Sequence, residues 1–194
     1  MKYENEVTVE VMCSLEELKL ILEKNNFKLV EEYDVKDIYM INKEIKSDDS
    51  RELLKNCILI RDIIEENKNT KKITYKYKEY DENNEIIKQG KLDCNVESVE
   101  SAQKLLEVMN YEELIRINDH LLIYMNEEDE LAVQLVNDKH IYIEVEEFSD
   151  RLNKQYSSLE EMKNVFSKYN IPIKDDDYFV KKAEIEIKEK MNQN

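Results

Sequence analysis

"HIYIEVEEF", residues 140–148, alternates apolar and polar side chains with the period of a β-strand. One face of that strand would carry Ile141, Ile143 and Val145, and the other would carry Tyr142, Glu144, Glu146 and Phe148. Glu144 and Glu146 would lie roughly 7 Å apart along the strand. The segment therefore predicts a strand with one face in the core and two carboxylates on the other face.

Seven further segments have strand-like composition or alternation. They are residues 4–11, 28–41, 57–64, 71–80, 86–96, 112–125 and 131–137. Polar loops are predicted between them at 42–53, 64–70, 81–85 and 126–130. Because most neighbouring strands are a short connection apart, the pattern predicts antiparallel pairing.

Three 14-residue segments, 14–27, 98–111 and 158–171, have the spacing of amphipathic helices. Each begins with Ser and ends with Asn followed by an apolar residue. Ser14 with Glu17 and Ser158 with Glu161 predict capping boxes, and Ser98 predicts a cap without that partner. The asparagines predict left-handed helix exits.

Eight strands and three helices predict one α+β domain over residues 1–194, with a core at about 4–180. Its antiparallel eight-stranded sheet would close, or nearly close, into a β-barrel tunnel with peripheral helices. Residues 175–190 could form a last helix or strand, and periodicity leaves both open. Exposed strand edges could pair into a homodimer.

Composition excludes several classes of protein. With 45 acids against 29 bases, the net charge of -16 lacks the basic footprint of a general nucleic-acid binder. No segment approaches the ~18 apolar residues of a membrane span, and the N-terminus lacks the apolar core of a signal peptide, which favours a cytoplasmic location.

One glycine in the chain leaves no glycine-rich phosphate loop. Three cysteines without metal-type spacing predict buried free thiols.

The charges on the polar strand faces are segregated. Acids lie on the first and last strands, and bases lie on the middle ones. A tunnel with a carboxylate wall and a Lys/Arg wall suits a divalent cation that bridges a polyphosphate. A sheet with one solvated outer face would produce the same alternation, so that alternative stays open.

A set of short motifs follows this order of elements: "ENEVT" at 4–8, "ILIR" at 58–61, "TYK" at 74–76, "KLD" at 91–93, "RIN" at 116–118 and "EVE" at 144–146, with Tyr178 and Lys181 near the C-terminus. In order and spacing the chain resembles the CYTH superfamily, the triphosphate tunnel metalloenzymes, over about residues 4–180. The superfamily includes class IV adenylate cyclases, thiamine triphosphatases and inorganic tripolyphosphatases.

The resemblance implies a site as well as a fold. It implies that Mg²⁺ or Mn²⁺ is held by Glu4, Glu6, Glu144 and Glu146. It also implies that Arg61, Lys76 and Arg116 grip the triphosphate as catalytic residues, with Lys78, Lys91 and Lys181 as further substrate-binding residues. The substrate would be a triphosphate-bearing small molecule such as ATP, thiamine triphosphate or tripolyphosphate.

Four positions depart from the pattern of the superfamily. Thr8, Leu59 and Asn118 stand where bases are expected, and Gln134 stands where a carboxylate is expected. A shift of the register by two residues across 57–61 or 131–137 would change the assignment of Leu59 or Gln134. The resemblance therefore predicts a divergent member: a phosphohydrolase, an adenylate cyclase-like enzyme, or a binding module for a nucleotide or polyphosphate that has lost catalysis. An α+β interaction protein with solvated charged faces is the remaining alternative.

Overall fold

The computed structural model of the chain describes residues 5–80, 86–174 and 177–192, and the side chains of all of these except 76–80 and 86–90. Its longer strands are β1 (Glu6–Glu10), β2 (Lys28–Asn42), β3 (Ile58–Glu65), β4 (Lys68–Tyr80), β5 (Ile86–Asn95), β6 (Tyr111–Met125), β7 (Glu130–Val136) and β8 (His140–Glu146). The short strands β9 (Phe148–Ser149) and β10 (Lys154–Gln155) form a separate hairpin. The helices are α1 (Leu15–Lys24), α2 (Ser50–Lys55), α3 (Val99–Val108), α4 (Leu159–Lys168) and α5 (Lys182–Asn192).

The eight longer strands form one sheet in the order β1-β8-β7-β6-β2-β3-β4-β5. Neighbouring strands pair antiparallel, as in β1 with β8 and β3 with β4. The predicted α+β class and eight-stranded antiparallel sheet are confirmed, whereas closure of the sheet into a barrel stays a prediction.

Contacts divide the chain into two compact units. The flanking unit contains residues 5–33 and 119–181, and the middle unit contains residues 34–118 and 182–192. Strands β2 and β6 each contribute residues to both.

The core of the flanking unit lies on one face of β1, β8 and β7. Val7, Val9 and Val145 pack there against side chains of α1 and α4, such as Leu18 and Phe166. This is the face that the alternation of residues 140–146 predicts to be apolar. It leaves the glutamates of β1 and β8 on the opposite face of the sheet.

The core of the middle unit is built in the same way. Ile38, Met40 and Ile60 on β2 and β3 pack against Ala102 and Leu106 of α3. Residues of alternate parity, such as Asp37 and Arg61, therefore occupy the other face.

Helix boundaries follow the sequence signals closely. Ser14 and Glu17 form the predicted capping box, and the Ser98 hydroxyl caps α3 without one. At α4 the Ser158 hydroxyl accepts from the Glu161 amide, but the Glu161 carboxylate accepts from Ser157 instead. The predicted second capping box is therefore shifted by one residue.

Other differences have local causes. The end of the predicted loop 42–53 forms α2, because the Asp49 carboxylate caps its first turn. The predicted loop 64–70 is a tight hairpin in which β3 runs to Glu65 and β4 begins at Lys68. β8 ends at Glu146, before Phe148, and the C-terminal tail is the helix α5.

The three cysteines are free thiols, as predicted, but only Cys57 is buried and Cys94 is exposed. Across the described parts of the chain, every helix is too short or too polar to cross a membrane.

Candidate functional site

Three of the four predicted metal-binding glutamates lie side by side on β1 and β8. In the antiparallel register, Glu6 is opposite Glu146 and Thr8 is opposite Glu144. Directly opposite residues share a face and have Cβ atoms about 4.5–5.5 Å apart. Glu6, Glu144 and Glu146, called the carboxylate row below, therefore occupy one face of the sheet, and Glu4 lies outside the described residues.

The sheet face around the carboxylate row is sheltered from solvent. Its neighbours Thr8, Gln134 and Tyr142 are only 6%, 3% and 0% exposed. Glu144 is half-buried, and Glu6 and Glu146 are exposed. A fully solvated outer face would not bury three polar side chains, so the row lies at the edge of a shielded region.

Gln134 holds the innermost carboxylate of the row. Its Nε2 donates to Glu144 Oε2 at 3.3 Å from the neighbouring strand β7. The superfamily pattern predicts a carboxylate at this position, and the amide restrains Glu144 without adding negative charge.

Tyr33 on β2 experiences the negative field of the carboxylate row. Burial first, and then the charges of Glu31 and Glu144, raise the pKa of its phenol to about 12, while Arg151 acts in the opposite direction. Sequence reasoning missed Tyr33, because β2 is far from β8 in sequence and is not its neighbour in the sheet, so no local pattern links Tyr33 to Glu144.

The outer edge of β1 is covered by residues 178–180. The Thr8 amide donates to Tyr178 O at 3.0 Å, and the Val180 amide donates to Thr8 O at 3.1 Å. Lys181, a predicted substrate-binding residue, follows directly and is half-buried. The structure thus brings Lys181 into the same unit as the carboxylate row.

Glu10, the next acid along β1, already has two partners. Its Oε2 accepts from Lys174 Nζ at 2.9 Å, and its Oε1 lies 3.2 Å from His140 Nδ1. Glu6, Thr8 and Glu10 share one face of β1. Because Glu10 is bound by Lys174 and His140, we do not count it in the carboxylate row.

In the middle unit, Arg61 is bound by a carboxylate that sequence reasoning missed. Its Nε and Nη2 donate to Asp37 Oδ1 and Oδ2 at 2.7 and 2.6 Å, a bidentate pair. Asp37 is buried, and Arg61 is half-buried. In "VKDIY" at 35–39 Asp37 falls on the same strand face as the apolar Val35 and Tyr39, so the sequence does not mark it as a site residue, and only the β2–β3 register pairs it with Arg61.

Lys72 and Thr74 continue this polar face on β4. Both donate to Asp93, at 2.9 and 2.8 Å. Burial acts to raise the pKa of Asp93, but these two hydrogen bonds and the charges of Lys72 and Lys91 outweigh it and lower that pKa. The face therefore combines cationic groups with carboxylates that partly neutralise them.

The predicted lysines of β4 and β5 lie beyond Thr74. Lys76 is opposite the exposed Lys91, and Lys78 is opposite Gln89. The side chains of Lys76 and Lys78 lie outside the described part, so their phosphate contacts stay a prediction.

Arg116 has a different environment from Arg61. Its Nε and Nη2 donate to the Glu113 carboxylate, and Nη2 reaches Gln103 Oε1 on α3 at 3.3 Å. The contact with Gln103 places Arg116 beside α3. That helix packs on the apolar face of β2 and β3, whereas Arg61 occupies the other face. The structure does not group Arg116 with Arg61.

The donor chemistry of the carboxylate row suits a hard divalent cation. Mg²⁺ and Mn²⁺ prefer oxygen ligands, and Mg²⁺ commonly takes one or two carboxylates together with phosphate oxygens. Glu6, Glu144 and Glu146 would be the ligands from the described residues.

Comparisons with known proteins bear on the fold. Neither a protein-family model nor a curated protein matches the chain by sequence. The solved structure of protein PH1819 from Pyrococcus horikoshii OT3 is similar at a TM-score of 0.67 and 15% identity, covering 95% of this chain and 99% of that one.

Two further structures carry functional names. An adenylate cyclase candidate from Vibrio parahaemolyticus aligns at a TM-score of 0.61 and 13% identity, over 97% of this chain and 98% of that one. The adenylyl cyclase candidate HpAC1 from Hippeastrum, described as having a dominant triphosphatase activity, aligns at 0.61 and 10% identity, over 96% of both chains. At these identities the similarity establishes the fold alone. The chain therefore shares the fold of structures named as adenylate cyclase candidates, which agrees with the resemblance seen in its sequence.

Proposed function

We propose that the chain is a metal-dependent enzyme that acts on a triphosphate or nucleotide in a charged tunnel formed by closure of its sheet. The observation that carries the proposal is the carboxylate row, which the β1–β8 register assembles beside three buried polar side chains. The similarity of fold to HpAC1, described as a triphosphatase, supports the same conclusion.

Each group on the carboxylate row would have a distinct part. Glu6 and Glu146 are exposed and would supply oxygen ligands, and Glu144 accepts a hydrogen bond from Gln134. A bound Mg²⁺ or Mn²⁺ would act as a Lewis acid at a phosphoryl oxygen and help to position the nucleophile. A buried Thr8 hydroxyl next to Glu144 leaves this wall without the lysine of the superfamily pattern.

Arg61, Lys76, Lys91 and Lys181 would bind the phosphates in this proposal. For Arg61, a phosphate would have to compete with the bidentate Asp37 carboxylate, and both ligands suit the planar guanidinium. Hydrolysis is favoured over cyclisation because it requires only an activated water, whereas a cyclase must also position a ribose 3′-hydroxyl.

A catalytically degenerate binding module is the second candidate. It is favoured by the ion pairs of the two arginines that the resemblance assigns to the triphosphate: Arg61 pairs with Asp37, and Arg116 pairs with Glu113. Together with Thr8, Leu59 and Asn118, this pairing lowers the positive charge available to a triphosphate. Such a module would bind a nucleotide or polyphosphate saturably without releasing product.

The test is release of phosphate and pyrophosphate from ATP, thiamine triphosphate and tripolyphosphate, with and without Mg²⁺ or Mn²⁺. Thermal melting with the same compounds reports binding, since a ligand at 100 times its dissociation constant stabilises a protein by about 2.7 kcal/mol. Glu144→Gln and Glu146→Gln should abolish the metal-dependent part of both signals. Glu127→Gln, an exposed glutamate in the β6–β7 turn, is the matched control.

The outcomes separate the candidates. Metal-dependent turnover that E144Q and E146Q abolish, and E127Q retains, supports the enzyme. Saturable binding without turnover supports the binding module. A protein that neither binds nor hydrolyses any of the three triphosphates contradicts both.

A further inference from the structure

A phenylalanine is exposed at the edge of the carboxylate row. Phe179 is 51% exposed. Burial of the ring does not account for its position, so the backbone must. The amides and carbonyls of Tyr178, Val180 and Thr8 fix the segment against β1, and the Phe179 amide donates to Asp177 Oδ1 at 3.0 Å.

The β-bridge between Thr8 and Phe179 determines the face that Phe179 occupies. The two residues pair in parallel, and bridge partners share a face of the sheet. Thr8 is in turn opposite Glu144 on β8. Phe179 and Glu144 are therefore on the same face, two strand spacings or about 10 Å apart.

Neighbouring side chains hold the aromatic segment in place. Tyr178 packs against the core of the flanking unit, with its ring 6.2 Å from that of Phe166. Lys163 Nζ lies 5.6 Å from the centroid of the Phe179 ring, within the range of a cation–π contact. A ring that is held yet half in solvent is suited to receive another flat group.

We propose that Phe179 is a specificity-determining residue, on which the aromatic ring of a triphosphate substrate stacks while its phosphates reach the carboxylate row. The inference rests on the proposed function and narrows its substrate class to triphosphates that carry an aromatic ring, such as a nucleobase or thiamine. Stacking on an exposed ring is favourable for any base because every base presents a π-face. Inorganic tripolyphosphate has no group that could use the ring.

The experiment compares ligands with and without an aromatic group. Calorimetric titration in Mg²⁺ gives dissociation constants for β,γ-methylene-ATP, thiamine triphosphate and tripolyphosphate, using the wild type, Phe179→Ala and Phe179→Tyr. Leu105→Ala on α3, at a leucine that is 56% exposed, is the matched control. F179A should weaken the aromatic ligands by about 5- to 150-fold, the range for loss of one stacked base.

Tripolyphosphate binding should be unchanged by F179A, F179Y should retain affinity for the aromatic ligands, and L105A should change nothing. Equal loss for tripolyphosphate would show a structural role for Phe179 and overturn the inference. Unchanged binding of all ligands by F179A would overturn it as well, while leaving the proposed function intact. A wild-type protein that binds none of the ligands would contradict the proposed function itself.

Discussion

At the scale of single residues, Asp129 is a buried charge of the flanking unit with four hydrogen-bond donors. It is 1% exposed in the turn before β7. Its two oxygens accept from Lys154 at 2.6 Å, Tyr156 at 2.6 Å, Lys168 at 2.8 Å and Tyr169 at 2.5 Å. Burial opposes ionisation, but these four donors outweigh it and hold the pKa of Asp129 well below its ordinary value.

The first prediction concerns this buried carboxylate. Asp129→Asn removes the charge that two lysines and two tyrosines share, and breaking a buried pair commonly costs about 3 kcal/mol or more. Urea unfolding at about pH 7 should show a loss of that size. Asp138→Asn, in an exposed turn, should change the free energy of unfolding by less than about 0.5 kcal/mol.

The pH dependence follows from the direction of the shift. Because the folded pKa is lowered, the stabilisation by Asp129 is fully present above the unfolded value of about 3.9 and is lost as the pH falls towards the folded pKa. The wild type should therefore lose more stability than D129N between about pH 5 and pH 2. Parallel acid profiles for the two proteins would contradict the assigned pairing.

Arg61 and Asp37 support a second prediction. Arg61→Gln leaves the buried Asp37 without its bidentate partner and should destabilise the protein by about 3 kcal/mol. The double variant Arg61→Gln, Asp37→Asn should recover most of that loss. A double-mutant cycle in urea measures the coupling, and an additive pair of effects would show that the two side chains act independently.

At the scale of elements, the helix exits show how local sequence determines structure. Asn26, Asn110 and Asn170 have φ values of 62°, 69° and 54°, the left-handed region that their position after each helix predicts. At α4 the Ile171 amide donates to Phe166 O at 2.9 Å, which completes a Schellman motif. Such signals lie within a few residues of each other, so the sequence alone could predict them.

The third prediction tests one of these exits. Asn170→Ala places a Cβ-restricted residue at positive φ and should cost about 1 kcal/mol, whereas Asn170→Gly should be neutral or stabilising. Asn164→Ala within α4 is the control, and its higher helix propensity should give a small gain in stability. Thermal or urea melts distinguish the variants, and equal effects at positions 164 and 170 would contradict this account.

Elements that depend on longer-range or atypical signals were harder to predict. Helix α2 has six residues in a segment rich in Asp and Ser, a composition that is also typical of loops. The tail 182–192 has both helical and strand-like spacing, and packing in the middle unit, through Glu184 with Arg51 at 3.2 Å, accompanies the helical form. The partner of Arg61 is 24 residues away in sequence and depends on the register of β2 with β3.

At the scale of the whole molecule, the sequence predicted the class and strand content of the sheet and the carboxylate row. These follow from period-two alternation, which is preserved whatever the neighbouring strands are. It could not predict that Gln134 would restrain Glu144, that Tyr33 would sense the row, or that Phe179 would lie beside Thr8. Those contacts depend on where strands and segments lie in three dimensions, and alternation carries no information about that.

The net charge of -16 gives the last prediction. Mutual repulsion of the acids destabilises the folded chain, so NaCl should raise the melting temperature by screening. At matched ionic strength, MgCl₂ should raise the melting temperature further if the carboxylate row binds the cation. At ten times the dissociation constant, binding adds about 1.4 kcal/mol to the free energy of unfolding. The double variant Glu144→Gln, Glu146→Gln should lose this extra Mg²⁺ effect.

Removing two charges by itself changes the general repulsion, so the control must remove two as well. Glu66→Gln, Glu127→Gln does so at exposed turns outside the row. Both double variants should gain stability at low salt, because each is less acidic, but only E66Q/E127Q should keep the Mg²⁺ increment. If both variants keep it, Mg²⁺ acts on the molecule as a diffuse counterion, and the carboxylate row holds no cation in the absence of a triphosphate.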